Sequence, residues 1–223
     1  MNVTAITEGP ATLQRATEFL WLDLTRKCQL ACTHCYNGSG SHGDHGSMTR
    51  ADWFRVVQQA AETGIRRVQL IGGEPTLHPD ALDLVSHALG CGLAVEVYSN
   101  GVHLSEKWWT TLLRPGVSLA TSYYSDDPAE HTAITGRRTH ALTRANIVKA
   151  VRLGVPVRVG VVEVLDGQRV DEARRELRAL GVTRIVVDHT RPFGRAAEAR
   201  SRTAPGSAAD AAPSGLRSPR TEP

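Results

Sequence analysis

A unit of amphipathic helix, glycine and short β-branched strand recurs down this chain, and it leaves few architectures open. Apolar residues recur at helical spacing through Trp53, Val57, Ala60 and Ala61, stop at Gly64, and give way to the strand-like run Arg67–Ile71. Thr49 with Asp52 three residues on reads as an approximate capping box for that helix. Ala81, Leu84, Val85, Ala88 and Leu89 form a second stripe that ends at Gly90, ahead of Leu93–Tyr98. Ser105 is placed to cap a third helix through Trp108, Trp109 and Leu112, broken by Pro115, and Val117–Thr121 is again strand-like. The last two units echo each other: Leu153-Gly154-Val155 leads into Val157–Val162, and Leu180-Gly181-Val182 into Arg184–Val187. Glycine suits the left-handed residue that ends a helix before a short helix-to-strand loop. With Phe19–Leu24 the pattern gives about six strands alternating with helices, hence parallel β/α architecture. Six units fall short of the eight of a closed barrel. The expected fold class is therefore α/β, a partial, open (β/α)6 TIM-like barrel on a parallel sheet.

At 223 residues the chain can build one sizeable core and is short for two. The expected division is an N-terminal extension over 1–17, a core over 18–195 and a disordered tail over 196–223. That tail is mostly Ala, Arg, Ser, Pro and Gly with one leucine, too little apolar surface to offset its ordering entropy. The net charge of +3 is spread along the length, without the concentrated basic face that nucleic-acid binding calls for. No apolar run approaches a membrane span, and Met1 to Glu18 lack the apolar stretch of a secretion signal. These features point to a cytoplasmic protein with neither nucleic acid nor membrane as partner.

Three of the four cysteines, Cys28, Cys32 and Cys35, fall within eight positions just after the first strand. In a reducing compartment such crowding belongs to metal binding or redox chemistry rather than to a disulfide framework. Thiolates suit zinc or iron–sulfur clusters. A structural zinc site completed by His34, His42 or His45 is one reading, although such sites usually come as paired knuckles far apart in sequence. A four-iron cluster held by three thiolates, with one iron left open for a ligand, is the other. The Gly38–Gly46 loop reads as flexible connection, and Cys91 as a small buried hydrophobe. The cysteines follow the first strand, Gly72-Gly73-Glu74-Pro75 the second and Ser99-Asn100-Gly101 the third. All three segments therefore share the strand C-terminal rim, where β/α barrels gather their chemistry.

The run Cys28-Gln29-Leu30-Ala31-Cys32-Thr33-His34-Cys35-Tyr36 resembles the signature of the radical S-adenosylmethionine enzymes, and the resemblance extends over about Glu18 to Arg195. It implies a [4Fe–4S] cluster held by Cys28, Cys32 and Cys35, whose open iron chelates the amino and carboxylate groups of S-adenosylmethionine. Reductive cleavage of that cofactor then yields a 5′-deoxyadenosyl radical that takes hydrogen from a substrate. Gly72, Gly73, Glu74 and Pro75 match the family's glycine-rich element. Its two glycines let backbone approach a ligand closely, and by resemblance Glu74 accepts from the cofactor's ammonium. Ser99 and Asn100 resemble the position contacting its ribose or carboxylate, and Val159–Glu163 the strand lining its adenine.

Two further segments resemble enzymes that modify peptides and proteins: Ser122-Tyr123-Tyr124-Ser125 with His131–Arg137, and Arg191-Pro192-Phe193-Gly194-Arg195. In those enzymes the latter leads into a cysteine-rich SPASM or twitch extension with auxiliary clusters, whereas no cysteine follows Cys91 here. The implied partners are a ribosomally made peptide or a protein as substrate and an electron donor such as flavodoxin or ferredoxin. The alternatives are an activase or small-molecule modifier of the same superfamily, or a truncated, non-catalytic module binding zinc or an iron–sulfur cluster.

Overall fold

Strand and helix alternate along the chain as the glycine-punctuated pattern predicts. A computed structural model describes residues 19–197; the N-terminal extension and the tail beyond 197 lie outside the described residues. Six strands, β1 (Phe19–Asp23), β2 (Arg67–Ile71), β3 (Ala94–Tyr98), β4 (Val117–Tyr123), β5 (Val157–Glu163) and β6 (Arg184–His189), form one sheet in sequence order. Every neighbouring pair is parallel. The crossovers carry α1 (Arg50–Glu62), α2 (Ala81–Gly90), α3 (Glu106–Leu112), α4 (Pro128–Thr135), α5 (His140–Arg152) and α6 (Val170–Ala179). β1 pairs with β2 and β6 with β5, but not with each other, so the sheet is an open, partial barrel.

The helix signals act as their chemistry dictates. Thr49 Oγ1 accepts from Asp52 N at 3.2 Å while Asp52 Oδ2 accepts from Thr49 N at 2.9 Å, closing the capping box of α1. Ser105 Oγ accepts from Trp108 N at the start of α3. Gly64, Gly154 and Gly181 carry the positive φ expected of helix stops, but after α2 that conformation falls on Gly92 rather than Gly90.

Strand alternation sorts the sheet into two faces. Leu22, Val68, Leu70, Val95, Val97, Val117 and Leu119 pack outward against Trp53, Val57, Leu84, Val85, Trp108, Trp109 and Leu112 of the helices. Burying a Leu or Val side chain contributes about 1.5–3 kcal/mol, so this layer carries most of the stability. A second cluster joins Tyr123, Ile147, Val159, Val161, Ala173, Leu177 and Val182 under α5 and α6. Cys91 is only partly buried and packs against the edge of the first cluster.

The opposite, concave face is polar. Glu96 accepts from Gln69 Nε2, and from Arg158 through Nε at 3.1 Å and Nη2 at 2.7 Å. The Arg158 guanidinium lies 5.5 Å from the Tyr98 ring centroid, and Tyr98 OH pairs with Ser122 Oγ at 2.9 Å. Trp21, at 60% exposed, stands on this face of β1, since its neighbours Leu20 and Leu22 belong to the helix side.

Two features depart from expectation. The β4–β5 connection holds two helices, α4 and α5, instead of one. Ala196 is buried at 7% exposure within a helical turn over 195–197, so the expected tail begins inside ordered chain.

Candidate functional site

The three rim segments meet at the strand C-terminal end. The cysteine loop leaves β1 beside β2, with Leu24 N donating to Ile71 O at 3.0 Å. The 38–46 segment is not the loose connection that its glycines suggest. It folds back on the base of the cysteine loop, with Arg26 N donating to Asp44 O at 2.8 Å and Cys28 N to Gly40 O at 2.9 Å. Thr25 Oγ1 donates to Asp44 O and pairs with His45 Nδ1, each at 2.9 Å. A backbone that supplies this many donors and acceptors to its neighbour is fixed whatever its composition.

The glycine pair does its work against the chain itself. A Cβ on Gly73 would stand 2.3 Å from Lys27 O, and one on Gly72, at φ +140°, 2.5 Å from Thr25 O. Their absence lets Gly73 N donate to Thr25 O at 2.6 Å and Glu74 N to Lys27 O at 2.8 Å. The two loops are thereby laid edge to edge, a contact between distant segments that the sequence could not show.

Glu74 is fully buried. Its Oε1 accepts from Thr76 N at 3.1 Å and Thr76 Oγ1 at 2.7 Å, capping the single 3-10 turn Pro75–Leu77, and Oε2 accepts from Asn100 N at 2.8 Å. Burial raises its pKa despite those donors. In this geometry Glu74 joins the second rim loop to the third. Ser99 closes its own turn, accepting from Gly101 N at 3.1 Å. Asn100 reaches further: its Nδ2 points at Cys28 Sγ, 3.7 Å away, and its Oδ1 accepts from Gln29 Nε2 at 3.2 Å. In β5, Val159 and Val161 belong to the helix-side cluster, which leaves Gly160 and Val162 on the concave face.

Cys28 is buried, and Cys32 and Cys35 are half-buried. Burial pushes the Cys28 thiol up, against the opposing N–H of Leu30. Cys32 is pushed up to about 12 by burial and then by the charges of Cys28 and Cys35. The thiols thus sit close enough to act on one another. Metal must displace their protons, since the thiolate is the ligand. Cys28 Sγ accepts from Leu30 N at 3.4 Å as well as facing Asn100, and such N–H donors stabilise a metal-bound thiolate. One tetrahedral ion with bonds of about 2.3 Å draws its sulfurs to about 3.8 Å of each other. Among the described residues no three His, Cys, Asp or Glu side chains are arranged to hold such an ion. Three soft thiolates, with N–H donors at Cys28, are the donor set that an iron–sulfur cluster takes.

Segments far along the chain brace this loop. Ala31 N and Thr33 N donate to Thr135 O and Ile134 O, so the end of α4 clamps the loop from one side. His34 Nε2 pairs with Tyr124 OH at 3.2 Å, and burial pulls the imidazole down to about 4. From the other side come Gly194 and Arg195, which meet the backbone of Cys32 and Cys35.

The model of the Radical SAM superfamily matches residues 22–180. A PqqA peptide cyclase of Streptomyces rochei is 33% identical over 179 residues, covering 78% of this chain and 48% of that protein. Its counterpart in Gluconobacter oxydans is 30% identical over 188 residues, covering 82% and 52%. The chain spans about half the length of the curated relatives it matches. Streptococcus suis SuiB bound to the precursor peptide SuiA superposes at a TM-score of 0.70 with 18% identity, over 79% of this chain and 40% of that one. The anSMEcpe structure with bound AdoMet superposes at 0.65 with 16% identity, over 78% and 51%. At these identities the structures share the fold.

Proposed function

The chain belongs to the radical SAM superfamily, and from that premise we propose that it is an enzyme that reductively cleaves S-adenosylmethionine to modify a ribosomally synthesised peptide or protein. When bound, the [4Fe–4S] cluster and S-adenosylmethionine of this superfamily supply a 5′-deoxyadenosyl radical, which can take hydrogen from a carbon that side chains alone leave inert. The observation that carries the reading is the joining of the cysteine loop, Gly72–Pro75 and Ser99–Asn100 on one rim, through Gly73, Glu74 and Asn100.

Cys28, Cys32 and Cys35 hold the cluster. Asn100 Nδ2 donates toward Cys28, favouring its thiolate. The backbone of Gly72–Pro75 receives the ammonium end of S-adenosylmethionine, in a loop whose shape Glu74 fixes from beneath. Ser99 and Asn100 present the third rim turn to the carboxylate or ribose, and Gly160 leaves room on the concave face of β5. The peptide reading is supported by the names of the relatives, PqqA peptide cyclases, and by SuiB's structure with its precursor peptide. The catalytic unit is 18–195, working in the cytoplasm with an electron donor such as flavodoxin or ferredoxin. Among the described residues no helix is long and apolar enough to cross a membrane.

Anaerobic purification and reconstitution with iron and sulfide test the proposal. The expected result is a brown protein that forms 5′-deoxyadenosine under a strong reductant, with Cys32→Ala abolishing it. Stoichiometric zinc with no iron uptake would overturn the reading. A short peptide encoded beside the gene, incubated with the enzyme and weighed by mass spectrometry, tests the substrate class.

A further inference from the structure

After β6 the chain turns back to the cysteine loop. Arg195 Nε donates to Cys32 O at 2.7 Å and Nη1 to Ser39 O at 2.9 Å, while its backbone N–H donates to Cys35 O at 3.0 Å. Gly194, at φ +55°, makes this possible, because a Cβ there would stand 2.4 Å from Cys35 O and 2.3 Å from Tyr36 O. One side chain therefore ties together the two ends of the segment that carries Cys32 and Cys35. The guanidinium is half-buried, so its charge is only partly screened where it meets the carbonyls of Cys32 and Ser39.

We propose that Arg195 is a positioning residue that staples the cysteine loop and raises the reduction potential of the cluster the loop holds. The inference rests on Cys28, Cys32 and Cys35 holding that cluster. Reduction adds one electron, and hence one negative charge, to the ligand set. A fixed cation beside it stabilises the reduced form over the oxidised one, as charges and hydrogen bonds around iron–sulfur clusters do. Arginine suits the place because its planar fork presents two N–H groups to two carbonyls at once. A lysine supplies the charge without the fork, and a glutamine supplies hydrogen bonds without the charge.

The experiment uses the full chain reconstituted anaerobically without substrate, as wild type, R195K, R195Q and R138Q, the last removing an exposed cation elsewhere. Iron and acid-labile sulfide per chain report loading, and a redox titration followed by electron paramagnetic resonance reports the potential. At the poise that half-reduces the wild type, R195Q should show a reduced-to-oxidised ratio lower by about fivefold, the scale of a partly screened charge. R195K should stay within about twofold of the wild-type ratio and lose its iron faster to a chelator, because half the staple is gone; R138Q should match the wild type in both. A wild-type ratio in R195Q overturns the proposal. If R195Q takes up no cluster, R195K decides: a wild-type ratio with faster iron loss supports the proposal, and any other pairing overturns it. Failure of the wild type itself to take up iron would instead sink the reading of the three cysteines.

Discussion

Replacing His131 by phenylalanine should remove a defined part of the protein's acid sensitivity. His131 lies on α4 at 1% exposure, edged by the rings of Tyr123, Tyr124 and His140, and its Nδ1 has no hydrogen-bond partner. Burial, reinforced by His140, lowers its pKa from 6.5 to about 4. The unfolded chain therefore binds more protons than the folded one between those values, so stability rises with pH across that window. The contribution is complete above 6.5 and is lost as pH falls toward 4. At pH 5, protonation stabilises the unfolded chain by about 2 kcal/mol and the folded site by less than about 0.1 kcal/mol. His34, also lowered to about 4, adds a loss of its own, so the readout is the difference between wild type and H131F. Urea unfolding of the cluster-free chain at pH 7.5 and pH 5 should show the wild type losing about 2 kcal/mol more than H131F. Equal losses would refute the assignment of His131 as neutral and buried.

Gly73→Ala drives a methyl toward Lys27 O and should cost about 1–3 kcal/mol and lower iron uptake. Gly40→Ala, where a Cβ meets nothing within 4 Å, should behave as wild type in both assays. Arg158→Met leaves the Glu96 carboxylate buried without its cation and should cost about 3–5 kcal/mol in urea melts. The double variant Glu96→Gln with Arg158→Met should recover most of that loss, and a double as unstable as the single would contradict a paired charge. Trp21→Ala should leave stability within about 0.5 kcal/mol. If the proposed peptide substrate lies along the concave face, the same change should weaken its binding, measured by calorimetry, by about 2 kcal/mol, and an unchanged affinity would place the peptide away from Trp21.

The strands and the first three helices were legible because their signals are local. Thr49 and Ser105 each cap by reaching three residues along, and the stop glycines act at their own φ. The pair α4 and α5 was not legible, since α5 buries His140 and Thr143 beside Ile147 and Ala150, and α4 buries His131 and Thr135. Buried polar residues of this kind blur the apolar stripe that marks a helix. The cysteines could be placed on a rim from strand order alone, but the roles of Glu74 and Arg195 depend on which distant backbone each one meets. The charged floor left a partial trace: Val95-Glu96-Val97 and Val157-Arg158-Val159 each set one opposite charge among β-branched neighbours. The register hides the pairing: across β4, Glu96 faces Ser118 while Arg158 faces Ala120, two residues further along.

The hydrogen bond from Arg195 to Cys32 spans 163 positions, and that span has a consequence in time. A ribosome adding about 5–20 residues per second emits the cysteine segment roughly 8–33 s before the residue that fastens it. Through that interval the three thiols emerge on a nascent chain with their final backbone partner still unmade. Metal insertion matched to the finished loop belongs after release of the last strand, and thiols exposed earlier are open to oxidation. Slowing synthesis downstream of Cys35 should therefore lower the iron content of the protein recovered from aerated cells, with little effect on cells grown without oxygen.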